Sequence, residues 1–291
     1  MASKYPYIAV AAAASIAIAA LAIAYPPNNE VSSKGDVEHE APAPALPIQR
    51  NGSEGPGHNA AASQIPLGRK VFRIEMTQPD FNGDAVDFID AQLSNSKAGD
   101  GHASYQIHSR VSSCKQALDP GDDEEYRAYA SIGLGEGFSR RVEREIENCR
   151  GLTARKDILD VNWLALAAAQ GSIEGRLVYA QNPRAAIGTL GDVLSDPEKL
   201  VEYRQNAVRY LEDSASRGNV DSIEALANIH ARGIIAGRST EKSLAYWMAL
   251  HRANPTEYSA ESVSRLSTGM DAEQFARSQN LSDAIYRSCC E

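Results

Sequence analysis

Apolar and polar positions divide the chain into three unlike stretches. From Tyr7 to Tyr25 it reads YIAVAAAASIAIAALAIAY, with no charged side chain. As a helix this run spans roughly 28 Å, about the thickness of a bilayer's hydrocarbon core. From Pro26 to about Lys70 the residues are mainly Pro, Ala, Gly, Ser and Asn, as in APAPALPIQRNGSEGPGHNAAASQ. Too little apolar surface is present there to offset chain entropy, so a disordered tether is expected. After Val71, alanine- and leucine-bearing stretches with helical spacing alternate with breaks marked by Gly, Asn or Asp. Continuous two-residue alternation is missing, and the expectation is all-α. The organisation predicted is an N-terminal anchor at 1–25, a linker at 26–70 and a helical domain at 71–291.

Charge around the first stretch sets a topology. Lys4 precedes the apolar run, whereas Glu30, Asp36, Glu38 and Glu40 follow it with Lys34 the one cation among them. The positive-inside rule keeps the N-terminus cytoplasmic and sends the remainder across the membrane. The expectation is a single-pass inner-membrane protein with a periplasmic domain. Ala22-Ile23-Ala24 also fits a small-x-small cleavage pattern, which would release the protein into the periplasm. Both alternatives imply export. A net charge of −9 excludes a basic nucleic-acid footprint, so no nucleic-acid partner is expected.

Self-similarity within the helical region is more informative. WLALAAAQGSIEGRLVYAQ begins at Trp163, and YLEDSASRGNVDSIEALANIHARG begins at Tyr210. With Gly171 and Gly218 aligned, an aromatic residue and a leucine stand at the same offset before each glycine: Trp163 and Leu164, Tyr210 and Leu211. Small residues precede the glycine at Ala167 and Ala168, and at Ser214 and Ala215. A further small residue follows at Gly175 or Ser222, then a bulky one at Tyr179 or Leu226. Such spacing places an apolar face on a first helix and lets a second approach closely. The glycine supplies the left-handed conformation that ends the first helix. A hairpin of this kind cannot bury its own apolar face, so several must stack.

These residues resemble the Sel-one-like repeat, a relative of the tetratricopeptide repeat. Ala207, Tyr210, Ala215, Gly218, Leu226, Ala227 and Gly233 fill its pattern best, with His230 where tyrosine is usual. The clearest copies cover about 157–182 and 207–254, and TEKSLAYWMAL, with Leu244 and Trp247, looks like a further first helix. A weaker copy places Gly99, Ala103 and Ile107 in the glycine, small and bulky positions. The resemblance implies an α/α-repeat solenoid acting as a scaffold or adaptor for a protein or peptide partner in the cell envelope. Arg209, Asp213 and Arg217 would line its binding surface. Beyond Asn254 a capping segment is expected.

Chemical signatures are few. Gly133, Gly135 and Gly137 sit in a helical context without a complete phosphate-binding pattern, and read as a turn. Asp119-Pro120-Gly121 reads as a turn, and Asp122, Asp123, Glu124 and Glu125 as an acidic first helical turn. SRRVEREIENCR mixes charges like a solvated helix face. His102 and His108 are six apart, off a common helical face. No cofactor, metal site or catalytic residue is assigned, and the expected function is binding, not catalysis. Four cysteines occur without a CxxC pair. In an exported protein Cys114 and Cys149 are expected to bridge two neighbouring helices. Cys289 and Cys290 are adjacent, and free, intermolecular and other pairings stay open. The alternative function is an envelope enzyme or thiol-active factor with an unrecognised site.

Overall fold

The computed structural model describes residues 64–68, 70–76, 81–119 and 124–291. The apolar run 7–25, most of the linker and the acidic residues Asp122 and Asp123 lie outside the described residues. Among the described residues no helix is long and apolar enough to cross a membrane. Among the described residues the fold is all-α apart from one two-stranded ribbon. Strand β1 (Gln64–Pro66) pairs antiparallel with β2 (Phe72–Ile74), Gln64 opposite Ile74 and Pro66 opposite Phe72. Strand β1 lies within the stretch 26–70. Strands of three residues are too short for alternation to announce them.

The helices run α1 (Ala85–Lys97), α2 (Gly101–Leu118), α3 (Glu124–Ser131), α4 (Gly135–Cys149), α5 (Lys156–Leu159), α6 (Trp163–Ala169) and α7 (Ile173–Gln181). They continue with α8 (Pro183–Ile187), α9 (Leu190–Ser195), α10 (Glu198–Ser216), α11 (Val220–Arg232), α12 (Thr240–Ala253), α13 (Glu257–Ser267) and α14 (Ala272–Cys289). A 3₁₀ segment, Arg150–Ala154, joins α4 to α5.

Three pairs, α1–α2, α6–α7 and α10–α11, share one connector. Its central glycine, Gly99, Gly171 or Gly218, has φ of +96, +96 or +94°. Each of these glycine N–H groups bonds the carbonyl three residues back, on Ser96, Ala168 and Ala215 at 3.0, 3.2 and 2.8 Å. The next residue's N–H reaches five back, to Asn95, Ala167 and Ser214 at 3.0, 3.0 and 3.2 Å. That double bond is the Schellman ending, which a left-handed glycine makes accessible. The residue after the glycine is Asp100, Ser172 or Asn219, and its side chain accepts backbone N–H groups of the following helix. One helix is thus terminated and the next capped within three residues. Close approach follows the small residues. A Cβ on Gly175 would stand 3.0 Å from the Ala167 Cβ, and Ser222 is fully buried.

Two apolar clusters form. The larger joins α6, α7, α10, α11, α12 and β2 around Leu164, Leu211, Leu226 and Trp247, with Cys289 at its edge. The smaller gathers Ile89, Ile107, Cys114, Cys149, Leu152 and Ile158. Trp163 ties the smaller cluster to α6, its Nε1–H donating to the Ile158 carbonyl at 2.8 Å. In this cluster Cys114 and Cys149 are both fully buried, with sulfurs 2.05 Å apart and Cα atoms 5.3 Å apart. A bond closing a 35-residue separation stabilises by about 3–4 kcal/mol in the chain-entropy account. Beyond Asn254, α13 and α14 both pack on α12.

The ribbon docks on the third connector. The Phe72 N–H donates to the Gly218 carbonyl at 3.0 Å, and Arg73 Nε donates to Asp221 at 2.8 Å. A Cβ added at Gly218 would lie 2.0 Å from the Lys70 carbonyl oxygen, whereas one at Gly99 meets nothing within 4 Å. G99A should therefore cost about 1–2 kcal/mol, the left-handed strain alone. G218A should cost about 1–3 kcal/mol more, because backbone must also move. Urea unfolding of both variants checks this, and equal costs would show that the ribbon contact carries no energy.

Candidate functional site

Polar groups concentrate where one helical hairpin meets the next. Between α7 and α10 the centre is the buried guanidinium of Arg176. Its Nε–H donates to the Ala168 carbonyl at 3.0 Å, and its Nη1 reaches Asp213 and, at 3.3 Å, the Ser214 hydroxyl. Asp213 also accepts from Arg217 Nη2 at 2.6 Å. The Arg176 and Arg209 guanidinium carbons lie 5.3 and 5.1 Å from the Tyr210 ring centre, within cation–π range. Tyr179 packs on Tyr203 and Tyr210 with centroids 5.2 and 5.6 Å away. Burial pushes the Tyr179 and Tyr203 hydroxyls up to about 12, so both stay protonated donors. The Tyr203 hydroxyl donates to the Ala180 carbonyl at 2.9 Å.

The seam between α2 and α7 is built on a buried carboxylate. Glu174 follows the N-cap Ser172 by two residues. Its Oε1 lies 2.8 Å from His102 Nδ1 and its Oε2 accepts from the Ser172 hydroxyl at 2.9 Å. His102 Nε2 meets Gln106 Nε2 at 3.0 Å. The hydrogen bond to Glu174 raises the His102 pKa above 6.5 against the opposing effect of burial, and the Glu174 and Asp100 charges add to the rise. Burial pushes Glu174 upward, but hydrogen bonds from His102, its own backbone and Ser172 outweigh it and hold the carboxyl below 4.5. The Ser172 oxygen also accepts the Gly175 N–H at 2.9 Å. The Ser172 hydroxyl is thus directed at the Glu174 carboxylate while its oxygen caps α7.

A third buried charge lies in the smaller cluster. Arg110 is fully buried, donates to Glu145 at 2.5 Å and to the Gly83 carbonyl at 3.2 Å, and stands 5.0 Å from the Phe81 ring centre. Glu145 belongs to the stretch SRRVEREIENCR, so that helix face is not wholly solvated as its mixed charges suggest. Metal-ligand atoms of Cys114, Glu145 and Cys149 come within 4.8 Å of one another. With the sulfurs joined and Glu145 engaged by Arg110, the group offers no thiolate to a soft metal.

The residues expected to bind a partner divide in this light. Arg209 is exposed, bonded to the Asn206 side chain at 2.8 Å. Arg217 is half-exposed beside Asp213. Asp213, in contrast, holds the buried Arg176 across the seam, which one sequence could not reveal. Glu174 and Arg176 did leave a trace: they are the two charged residues of α7, both in its first turns. His108 is pushed down to about 4, chiefly by burial, and His230 is buried and stacked on Tyr246 with ring centres 5.8 Å apart. No protein-family model and no curated protein matches the chain.

Removing the charge opposite a buried cation costs more than removing a solvated one. D213K should lower stability by about 3 kcal/mol, since Arg176 is left buried against a like charge. R209E should stay within about 0.5 kcal/mol. Thermal melts decide, and a neutral D213K would remove Arg176 from any structural role.

The His102–Glu174 pair sets a pH dependence. Because the folded His102 pKa is raised, its contribution is complete below about 6.5 and is lost as pH rises through the raised value. The Glu174 pKa is lowered, so its contribution is present above about 4.5 and is lost as pH falls through the folded value. Stability of the wild type relative to H102Q should therefore peak between those limits and decline toward pH 8. Parallel unfolding curves at pH 5.5 and 8, with no change in the difference, would show that the pair is not coupled.

Proposed function

We propose that this chain is a membrane-tethered, exported scaffold or adaptor that holds a protein or peptide partner in the cell envelope. The helical domain is read as an α/α-repeat solenoid of the Sel-one-like kind. The observation that carries this reading is the recurrence of one three-residue connector, with the same glycine conformation and the same capping logic, in three hairpins. Stacked hairpins of this design present extended surfaces, which repeat proteins use for partners. Further support comes from Leu190 and Leu194, one turn apart on α9 and 74% and 72% exposed, apolar surface of the sort partners cover. The charge-free run at Tyr7–Tyr25 with its acidic flank supports the anchor and the periplasmic placement. A tether confines the domain near membrane-bound partners and raises their effective concentration.

Crosslinking in intact cells tests this. Full-length chain should recover one or a few envelope proteins in defined stoichiometry. R209E should reduce that recovery with an unchanged melting curve, and deletion of 1–25 should lower it further. In spheroplasts, added protease should remove the domain while cytoplasmic controls survive. A wholly cytoplasmic pool, or turnover by purified domain of a substrate other than a thiol or disulfide that one fold-neutral substitution abolishes, would overturn the reading.

A further inference from the structure

Cys289 and Cys290 close α14, and their sulfurs lie at bonding distance with the Cα atoms 3.7 Å apart. A bond between neighbours encloses no intervening residue, so it removes almost no conformational entropy from the unfolded chain. Cys114–Cys149, which spans 35 positions between two fully buried residues, is a structural staple by the same measure. Stabilisation therefore does not account for the vicinal bond.

The two sulfurs differ in burial, and solvent reaches the edge of the pair. Cys289 is buried at the edge of the larger core, while Cys290, one residue on, is partly exposed. A cleft of about 260 Å³ opens beside Cys289 between α10, α12 and α14, lined also by Glu212, Tyr246, Ile285 and Ser288. The Tyr286 carbonyl oxygen lies 3.6 Å from Cys289 Sγ, placed to accept the S–H of a reduced Cys289. The end of α14 is held independently of the sulfurs. Arg252 stacks 3.8 Å from the Tyr286 ring centre and donates to Asp283 at 3.2 Å.

We propose that Cys289–Cys290 is a reversible thiol–disulfide exchange site whose co-reactant is a dithiol. A thiolate of the dithiol bonds to the sulfur of Cys290, the less buried residue of the pair. The Cys289–Cys290 bond breaks, and its electron pair leaves on Cys289, which takes a proton from water. The second thiol of the co-reactant, losing its proton to water, then attacks the first thiol's sulfur in the mixed disulfide. Cys290 is expelled as a thiolate and protonated. Two electrons and, through water, two protons pass from the dithiol to the protein, and the co-reactant becomes a disulfide. Access decides which sulfur is attacked, so the buried Cys114–Cys149 bond is bypassed in the folded protein.

The test uses full-length, folded chain titrated with dithiothreitol, quenched by alkylation and mapped by peptide mass spectrometry. Labelling of Cys289 and Cys290 should appear at a reductant concentration at least about tenfold below that which labels Cys114 and Cys149. After that mild reduction, an immobilised trivalent arsenical should retain the wild type and not C290S. Circular dichroism of both should be unchanged. Simultaneous reduction of the two bonds, labelling of Cys289 and Cys290 before any reductant, or equal arsenical retention of C290S would each overturn the proposal.

Discussion

A glycine held at positive φ between two helices is the constraint on which the rest depends. In each of the three hairpins it lets the chain reverse within three residues. A residue with a Cβ would pay left-handed strain there, and at Gly218 it would also strike the Lys70 carbonyl. The sharp reversal brings Ala167 against Gly175 and buries Ser214 and Ser222. The residue after the glycine must then cap the next helix, which explains Asp100, Ser172 and Asn219 at equivalent places. The charges that matter are set from that point, since Glu174 and Arg176 lie three and five residues after Gly171.

Buried charge between hairpins gives the stack register more than raw stability. Arg176 with Asp213 and His102 with Glu174 each join one hairpin to the next, and each has several hydrogen bonds. An apolar seam of equal volume could be as stable, because the desolvation of a buried pair offsets much of its attraction. Apolar side chains tolerate sliding, however. A guanidinium bound to one carbonyl, one carboxylate and one hydroxyl does not. The pH response expected of the His102–Glu174 pair belongs to one of these seams.

Much of the helical fold was legible in the sequence, for local reasons. Gly99, Gly171 and Gly218, the small residues around them and the apolar Leu164, Leu211 and Leu226 carry their structural role in their type and spacing. Long-range pairings were less legible. Nothing near Asp213 in sequence points to Arg176, and nothing near Glu145 points to Arg110, 35 residues away. The ribbon was missed because Gln64–Pro66 becomes a strand only by pairing across a turn and docking on Gly218. Tyr210 and Trp163 share an offset from their glycines yet differ in setting. Trp163 closes the smaller cluster, whereas Tyr210 is half-buried between arginines.

The two cysteine pairs suit opposite ends of the energy balance. The smaller cluster has nine buried apolar residues against twenty in the larger, among the described residues. At roughly 1.5–3 kcal/mol for each large buried side chain, the smaller group offsets far less backbone entropy. A cross-link between α2 and α4 acts there by limiting the unfolded ensemble, where added apolar contacts are scarce. At the other end α14 already packs on α12 and is held by Arg252, so a bond inside its last turn adds little to stability. A pair that the fold does not need for stability is free to open and close without unfolding the domain.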